Sequence, residues 1–300
     1  MGSAPATTTP TPAMRKEYLT RRHGALNILH LLGTHALLIA WFWLGGAWLP
    51  LAAYIPLSLL ACVIHQRAMS EWIHEGAHFN LVPSRKWNDR LTNALAGIWF
   101  ALPVRVYRET HFAHHRKDAF FVPDDPDTAF LELHSRKAFW RAVLSDITGL
   151  TILRQFRRFE VNESRSSERR VLAVAAVANL ALIAVAYLVG RLEAPFLYYF
   201  CLATVYPLMN RLRTYVQHVT VEPSGSVVFA GSNASRTIDG GVLDRIFHTS
   251  RLLMNHHEHH VNPHLPYRAL PHLVVPSDDR NRYSRSRWRI LRAIYVGLPR

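Results

Sequence analysis

Apolar and polar positions fall into long separate blocks along this chain. From Ala25 to Gln66 there is no Asp, Glu, Lys or Arg, a run of 42 residues. As a single helix rising about 1.5 Å per residue it would reach roughly 60 Å, twice the roughly 30 Å hydrocarbon core of a bilayer. Gly45-Gly46 and Pro50 interrupt the run midway. The pattern therefore predicts two spanning helices, over about 25–45 and 48–68, joined by a tight turn. A second pair follows. Val171–Gly190 is uncharged for 20 residues, Arg191-Leu192-Glu193 forms a polar turn, and Ala194–Asn210 adds 17 more. Arg211 and Arg213 can extend their charged ends to the interface, so spans are expected over about 171–190 and 194–213. Buried hairpins of a soluble protein are the competing reading, but uncharged windows this long are rare in soluble cores. The expected fold is an all-α integral membrane protein: four transmembrane helices in two hairpins, with a helical cap.

Charge placement orients it. Arg15, Lys16, Arg21 and Arg22 precede the first run; the segment between the hairpins and the part after Asn210 are rich in Arg and Lys; the two hairpin turns are nearly free of them. The excess of positive charge on cytoplasmic loops then puts both termini and the cap in the cytoplasm. Residues 1–24 read as a disordered basic tail, 25–275 as the membrane domain and 276–300 as a basic C-terminal tail. No secretory signal is expected before the first span, and Ala6 stands where a myristoylation motif needs Ser or Thr.

Composition narrows the classes. With 49% apolar residues the bulk is not disordered, and two cysteines, Cys62 and Cys201, both inside apolar runs, make no disulfide framework. The net charge of +14 would suit nucleic acid, but the topology already accounts for it, so no nucleic acid partner is expected. The unusual quantity is the histidine content, 18 in 300 residues.

Those histidines cluster outside the spans, on the side assigned to the cytoplasm. His74-Glu75-Gly76-Ala77-His78 follows the second span, and a helix continuing out of the membrane puts His74 and His78 on one face. His111, His114 and His115 repeat at offsets of three and four, and so do His256, His259 and His260, with His257 turned about 100° away. His218 lies just past the fourth span. One cluster alone could be a surface patch. Two HxxHH patterns and one HxxxH on the same side of a membrane point to imidazole ligation of a metal. Eight clustered ligands, with His218 as a ninth, exceed what one ion can use, so two ions are the economical reading. His74–His78 also spells HExxH, the zinc protease pattern with Glu75 as general base, but that reading leaves the other clusters idle. A metal transporter would place ligands near the bilayer midplane; His30, His35 and His65 lie there without ligand spacing and are expected to pack helices or line a tunnel.

With these clusters the chain resembles the membrane fatty acid desaturase superfamily over roughly 25–275. The most specific stretch is Met254-Asn255-His256-His257-Glu258-His259-His260-Val261-Asn262-Pro263-His264-Leu265-Pro266-Tyr267, followed by Leu270-Pro271. Asp125-Pro126-Asp127 after the second cluster, and Arg213-Thr214-Tyr215-Val216-Gln217-His218, are similar to further family elements; Gln217 stands where the family often has Glu. The resemblance implies two non-haem iron ions held by His74, His78, His111, His114, His115, His218, His256, His259 and His260. It implies O2 as co-substrate and oxidation of an unactivated C–H bond in a fatty-acyl chain, most simply desaturation, with hydroxylation or ketolation as the alternative on the same fold. Glu75, Glu109, Asp118, Asp125, Asp127 and Glu258 flank the clusters. Any of them could accept from the far nitrogen of a ligand imidazole; Glu258 and Asp127 are the better candidates, with Glu75 and Asn255 beside their boxes.

A long apolar substrate would thread between the spans, past Trp41, Phe42, Trp43, Trp99, Phe100, Tyr198, Tyr199 and Phe200, unless these form an interfacial belt. Arg105, Arg108, Arg116 and Lys117 would favour an anionic head on acyl carrier protein, coenzyme A or phospholipid, or simply meet the anionic leaflet. No haem-binding segment, iron–sulfur cysteine quartet or dinucleotide fingerprint is visible, so a separate ferredoxin or reductase is expected to supply electrons.

Overall fold

The structure is a computed structural model that describes residues 12–116, 119–159, 166–242, 244 and 254–300. The chain is mostly helical. Thr20 starts helix α2 (Arg21–Trp48) with a capping box closed by His23; a short helix α1 (Pro12–Tyr18) precedes it. Pro50 then fixes the extended conformation that begins α3 (Leu51–Ala77). The expected break between the first two runs is therefore present. The second helix runs nine residues past the expected end at 68, and so carries most of the first histidine cluster itself.

Among the described residues, three helices are long and apolar enough to cross a membrane: Arg21–Gly45, Leu51–Ala77 and Arg169–Leu188. The last lies in α8 (Ser166–Leu188), whose Val177, Leu180 and Leu188 point outward with 66–79% of their surface exposed. Leu37 and Ile39 of α2 are equally bare, a pattern that suits lipid and not water. The fourth apolar run is not one helix. It divides into α9 (Glu193–Ala203) and α10 (Val205–His218) at Thr204, whose φ and ψ of −121° and −70° leave the helical region. Pro207, lacking an N–H, cannot bond back to the Ala203 carbonyl, so the break falls where the hydrogen-bond ladder is cut.

Helix α3 is the axis of the molecule, packed against α2, α9 and α5 (Val104–His115). Its N-terminal half shares an apolar cluster with α2 and α9, built on Leu38, Phe42, Tyr54, Cys62, Val63, Leu197, Tyr198 and Cys201. Its C-terminal half buries polar side chains, from His65 through Glu75. Further helices are α4 (Arg85–Leu95), α5, α6 (Arg136–Ile147), α7 (Leu150–Phe159) and α11 (His256–Val261). Two small sheets join them. Strands β1 (Thr220–Val221) and β2 (Val227–Val228) pair antiparallel, and β3 (Thr237–Ile238) and β4 (Tyr283–Ser284) pair parallel, Thr237 opposite Tyr283. The buried Asp146–Arg211 pair, at 2.6 and 3.0 Å, ties α6 to α10.

Both ends of the described chain carry secondary structure. Residues 12–18 and 21–24 are helical: Met14 packs on Leu265, Ala269 and Leu270, and Arg15 donates to the carbonyls of Phe79 and His264 at 2.9 and 3.1 Å. The first eleven residues lie outside the described part. Residues 276–300 contain β4 and α12 (Arg287–Gly297). Ile290, Ile294 and Leu298 recur every four residues between the arginines and bury against Tyr215, Val216 and Val219. Arg236, fully buried, donates to the carbonyls of Val216, Val219 and Arg280 and to Asn281 Oδ1, stitching this segment to the end of α10.

Candidate metal centre

The first histidine pair sits where α3 ends. His78 is its C-cap, and Phe79 follows at φ 59°, a left-handed conformation that strains a residue with a side chain. The surroundings hold it there: the Arg108 guanidinium stacks 3.8 Å from the Phe79 ring centre, and Arg15 binds the Phe79 carbonyl. Gly76, between the two histidines, lets α4 approach. A Cβ at Gly76 would collide with the Thr92 side chain, while Asn88 and Arg108 already hold the Gly76 carbonyl at 2.8 and 3.0 Å. We expect Gly76→Ala to destabilise the protein by about 1–3 kcal/mol through this overpacking, seen as a lower melting temperature. Gly76→Ala with an unchanged melting temperature would show that α4 gives way.

Helix α5 presents His111, His114 and His115, and α11 presents His256, His259 and His260. His218 ends α10. These elements converge. Ligand atoms of His74, His78, His111, His115 and His259 lie within 4.8 Å of one another, and those of His114, His218 and His260 do likewise. His256 joins the second group, its Nε2 2.9 Å from His218 Nε2 and 3.1 Å from His260 Nε2. All nine histidines singled out in the sequence thus meet in two adjoining groups. His257 points away to Ser235.

Three imidazoles have their orientation fixed from behind. A carboxylate or carbonyl can only accept, so Nδ1 of each must be the protonated nitrogen. His111 Nδ1 donates to Asp127 at 2.8 Å, His114 Nδ1 to Asp125 at 3.0 Å, and His218 Nδ1 to the Ala234 carbonyl at 3.1 Å. Each Nε2 is left bare and turned inward. Burial, reinforced by neighbouring positive charge, drives His111, His256, His259 and His260 well below the ordinary 6.5, and burial takes His115 to about 3. They are neutral at physiological pH, with lone pairs available. Burial also pushes Asp127 up to about 6. Burial raises Asp125 too, but hydrogen bonds from His114, Thr128 and the Asp127 N–H outweigh it and leave Asp125 below the usual range.

The donor set fits borderline transition metals. It is nearly all imidazole, which suits iron, zinc, copper or nickel and not calcium or magnesium. Nε2 atoms of neighbouring histidines lie 2.9–3.1 Å apart, close to the roughly 3.0 Å between two nitrogens that each reach about 2.1 Å to one ion at a right angle. His74 Nε2 and His78 Nε2 are buried with no hydrogen-bond partner, an expensive arrangement for polar nitrogens that a metal would relieve.

The supporting residues were only partly legible. Asp127 accepts from His111 Nδ1. Asp125, a weaker candidate by sequence, does the same for His114. Glu258 instead accepts from Thr237 Oγ1. Glu75 accepts the Tyr267 N–H at 3.2 Å and lies 3.7 Å from His74 Nδ1. Asn255 is the N-cap of α11, without a side-chain cap bond, and Asp118 lies outside the described residues. The Ala234 carbonyl carried no signal, because any residue has one. Tyr107, stacked 5.0 Å from His111 at 12°, could have been found one turn ahead of it on α5.

The remaining candidates separate. His35 Nε2 donates to the Leu95 carbonyl, so His65 Nε2 must donate to His35 Nδ1 at 2.8 Å and Tyr198 to His65 Nδ1 at 3.1 Å; His30 packs edge-on to Trp72. These histidines pack helices, as expected. Of the aromatic residues, Phe42 and Tyr198 are buried while Trp43 and Phe200 are about half exposed, so they form no single lining. Arg108 is engaged by Asp89 and by the Gly76 and Ala77 carbonyls, which removes it from the head-group contacts; Lys117 lies outside the described residues.

A protein-family model described as fatty acid desaturase matches residues 46–290, reaching past the expected boundary at 275 into α12. No curated protein matches the chain.

Proposed function

The chain belongs to the fatty acid desaturase family, and on that footing we propose that it oxidises unactivated C–H bonds of a fatty-acyl chain with two histidine-held iron ions and O2. The observation that carries this reading is the convergence of nine histidines from α3, α5, α10 and α11 into two adjoining groups. His74, His78, His111, His115 and His259 would hold one ion, and His114, His218, His256 and His260 the other. Bound iron would supply the activation of O2. The chain's own part is to keep the imidazoles neutral and aimed, through Asp125, Asp127 and the Ala234 carbonyl, and to keep water out of the site. Desaturation is the outcome we expect. Mass spectrometry of lipids from cells with and without the protein tests it: a product two hydrogens lighter supports desaturation, and one oxygen heavier supports hydroxylation. The zinc protease reading of His74, Glu75 and His78 is the weaker one, since those two histidines share a group with three others.

We place α2, α3 and α8 across the bilayer, with α9 and α10 together as the fourth crossing and the cap and both termini in the cytoplasm. A separate ferredoxin or reductase would deliver the electrons there. Trp48 and Leu192, exposed at the two hairpin turns, and His134, exposed in the cap, test this. Cys62 and Cys201 are buried, so background labelling is low. Cysteine at 48 or 192 should react with an impermeant thiol reagent from outside, and cysteine at 134 only after lysis. Labelling of position 134 in intact cells would overturn the orientation.

A further inference from the structure

Arg67, Glu71, His74 and His78 follow one another at spacings of four, three and four, so they share one face of α3. Arg67 and Glu71 are 1% and 0% exposed and paired at 2.9 Å. Alongside, Asn210 of α10 accepts two bonds on the same oxygen, from Arg67 Nη1 at 3.1 Å and from Arg213 Nη2 at 3.2 Å. Two guanidinium groups are thereby drawn around one amide oxygen. Among the described residues, Glu71 is the one carboxylate in ion-pair contact with either arginine, leaving a surplus positive charge inside the protein.

Burying an uncompensated charge is costly, as is burying donors that lack acceptors. Here both occur: Arg67 Nε, Arg213 Nε and Glu71 Oε2 are buried without a hydrogen-bond partner. Arg213 stands among Arg67, Glu71, Tyr107 and Tyr206, yet Arg213, Asn210, Tyr107 and Tyr206 all keep part of their surface open. The cluster also adjoins the metal centre. Glu71 and Arg67 precede His74 by three and seven residues, about 5 and 10 Å along the helix, and the charge of Arg213 reaches His218 and His256.

We propose that Arg67 and Arg213 form a binding site for the carboxylate of the substrate. The planar guanidinium fork matches a carboxylate, and an anion placed there meets the unpartnered N–H groups and cancels the surplus charge. That the bound acid is the substrate rests on the proposed oxidation; the site itself does not. Two consequences follow. The substrate is a free carboxylic acid and not an ester or thioester, in place of the carrier-linked head group expected from the basic cap. The oxidised carbon lies a handful of methylenes from the carboxylate, not in the middle of a long chain.

The test is binding to the purified full-length protein in neutral detergent, at about pH 8 where a carboxylic acid is ionised. Dodecanoate and methyl dodecanoate are compared by equilibrium dialysis. Dodecanoate should bind more tightly by roughly tenfold or more, the size expected of charge-assisted hydrogen bonds. Arg213→Gln should bring the two affinities together by weakening the acid alone, and Arg213→Lys should restore part of the difference. Equal affinity of acid and ester in the unaltered protein overturns the proposal, and that comparison needs no variant to fold. An acid preference that survives Arg213→Gln overturns it as well. Hexanoate bound with the same preference would identify a short-chain acid as ligand, and its failure a long-chain one; the site stands either way. Protein that binds the acid but oxidises nothing would sink the proposed function and leave the site.

Discussion

Replacing His259 by alanine should cost the protein one of its two metal equivalents and its turnover together. His259 is fully buried, with Nε2 3.0 Å from His115 Nε2 and its ring centre 4.5 and 4.7 Å from those of His74 and His78. It is the one member of the first group that comes from the C-terminal third of the chain. Alanine removes a donor, and the other four histidines cannot close the gap because α3 and α5 hold them by helix geometry. Changes to residues behind a ligand typically cost 10–100-fold in metal affinity or activity, and loss of the ligand itself should exceed that. Metal analysis of purified protein should fall from about two ions per chain to about one. His134→Ala, at a side chain 78% exposed, should keep both. A His259→Ala protein with its full metal complement would remove this residue from the site.

The second large effect separates two chemistries written in one motif. In a zinc protease Glu75 activates water, and Glu75→Gln should eliminate hydrolysis. In the proposed oxidase no water needs deprotonating. Glu75 instead braces its neighbours. Its Oε2 accepts the Tyr267 N–H at 3.2 Å, and the carboxyl lies 3.7 Å from His74 Nδ1. Glutamine can still accept from Tyr267, but it replaces one carboxyl oxygen by an amide nitrogen beside His74. Activity and iron occupancy should fall by roughly 10–100-fold without vanishing, whereas His78→Ala should lose both. Full iron content with no activity in Glu75→Gln would give Glu75 a direct chemical role and defeat the assignment.

How much of this could be read from the sequence depends on the range of the interaction. The histidines were legible because offsets of three and four on a helix fix a shared face whatever the rest of the fold does. The break between α2 and α3 was legible because Pro50 acts locally. The break at Thr204 was missed: a run of seventeen uncharged residues looks continuous until the missing N–H of Pro207 is counted against Ala203. Helix α12 was hidden because its buried apolar positions, Ile290 and Ile294, are interspersed with Arg287, Arg289 and Arg292. The partners of the imidazoles divide in the same way. Asp125 and Asp127 follow their cluster closely and could be proposed, while the Ala234 carbonyl reaches His218 only through tertiary folding. The Arg67–Asn210–Arg213 arrangement needs two helices in register and could not have been proposed from either alone.

The two metal groups also impose an order on biosynthesis. Four members of the first group, His74, His78, His111 and His115, are made within the first 115 residues, on helices that can fold as soon as they emerge. The fifth, His259, and all of the second group except His114 come from beyond residue 217. Because chains are made from the N-terminus, these four imidazoles are present before any residue beyond 217 has been added. Loss of the residues beyond 217 would therefore leave four histidines of the first group and one of the second.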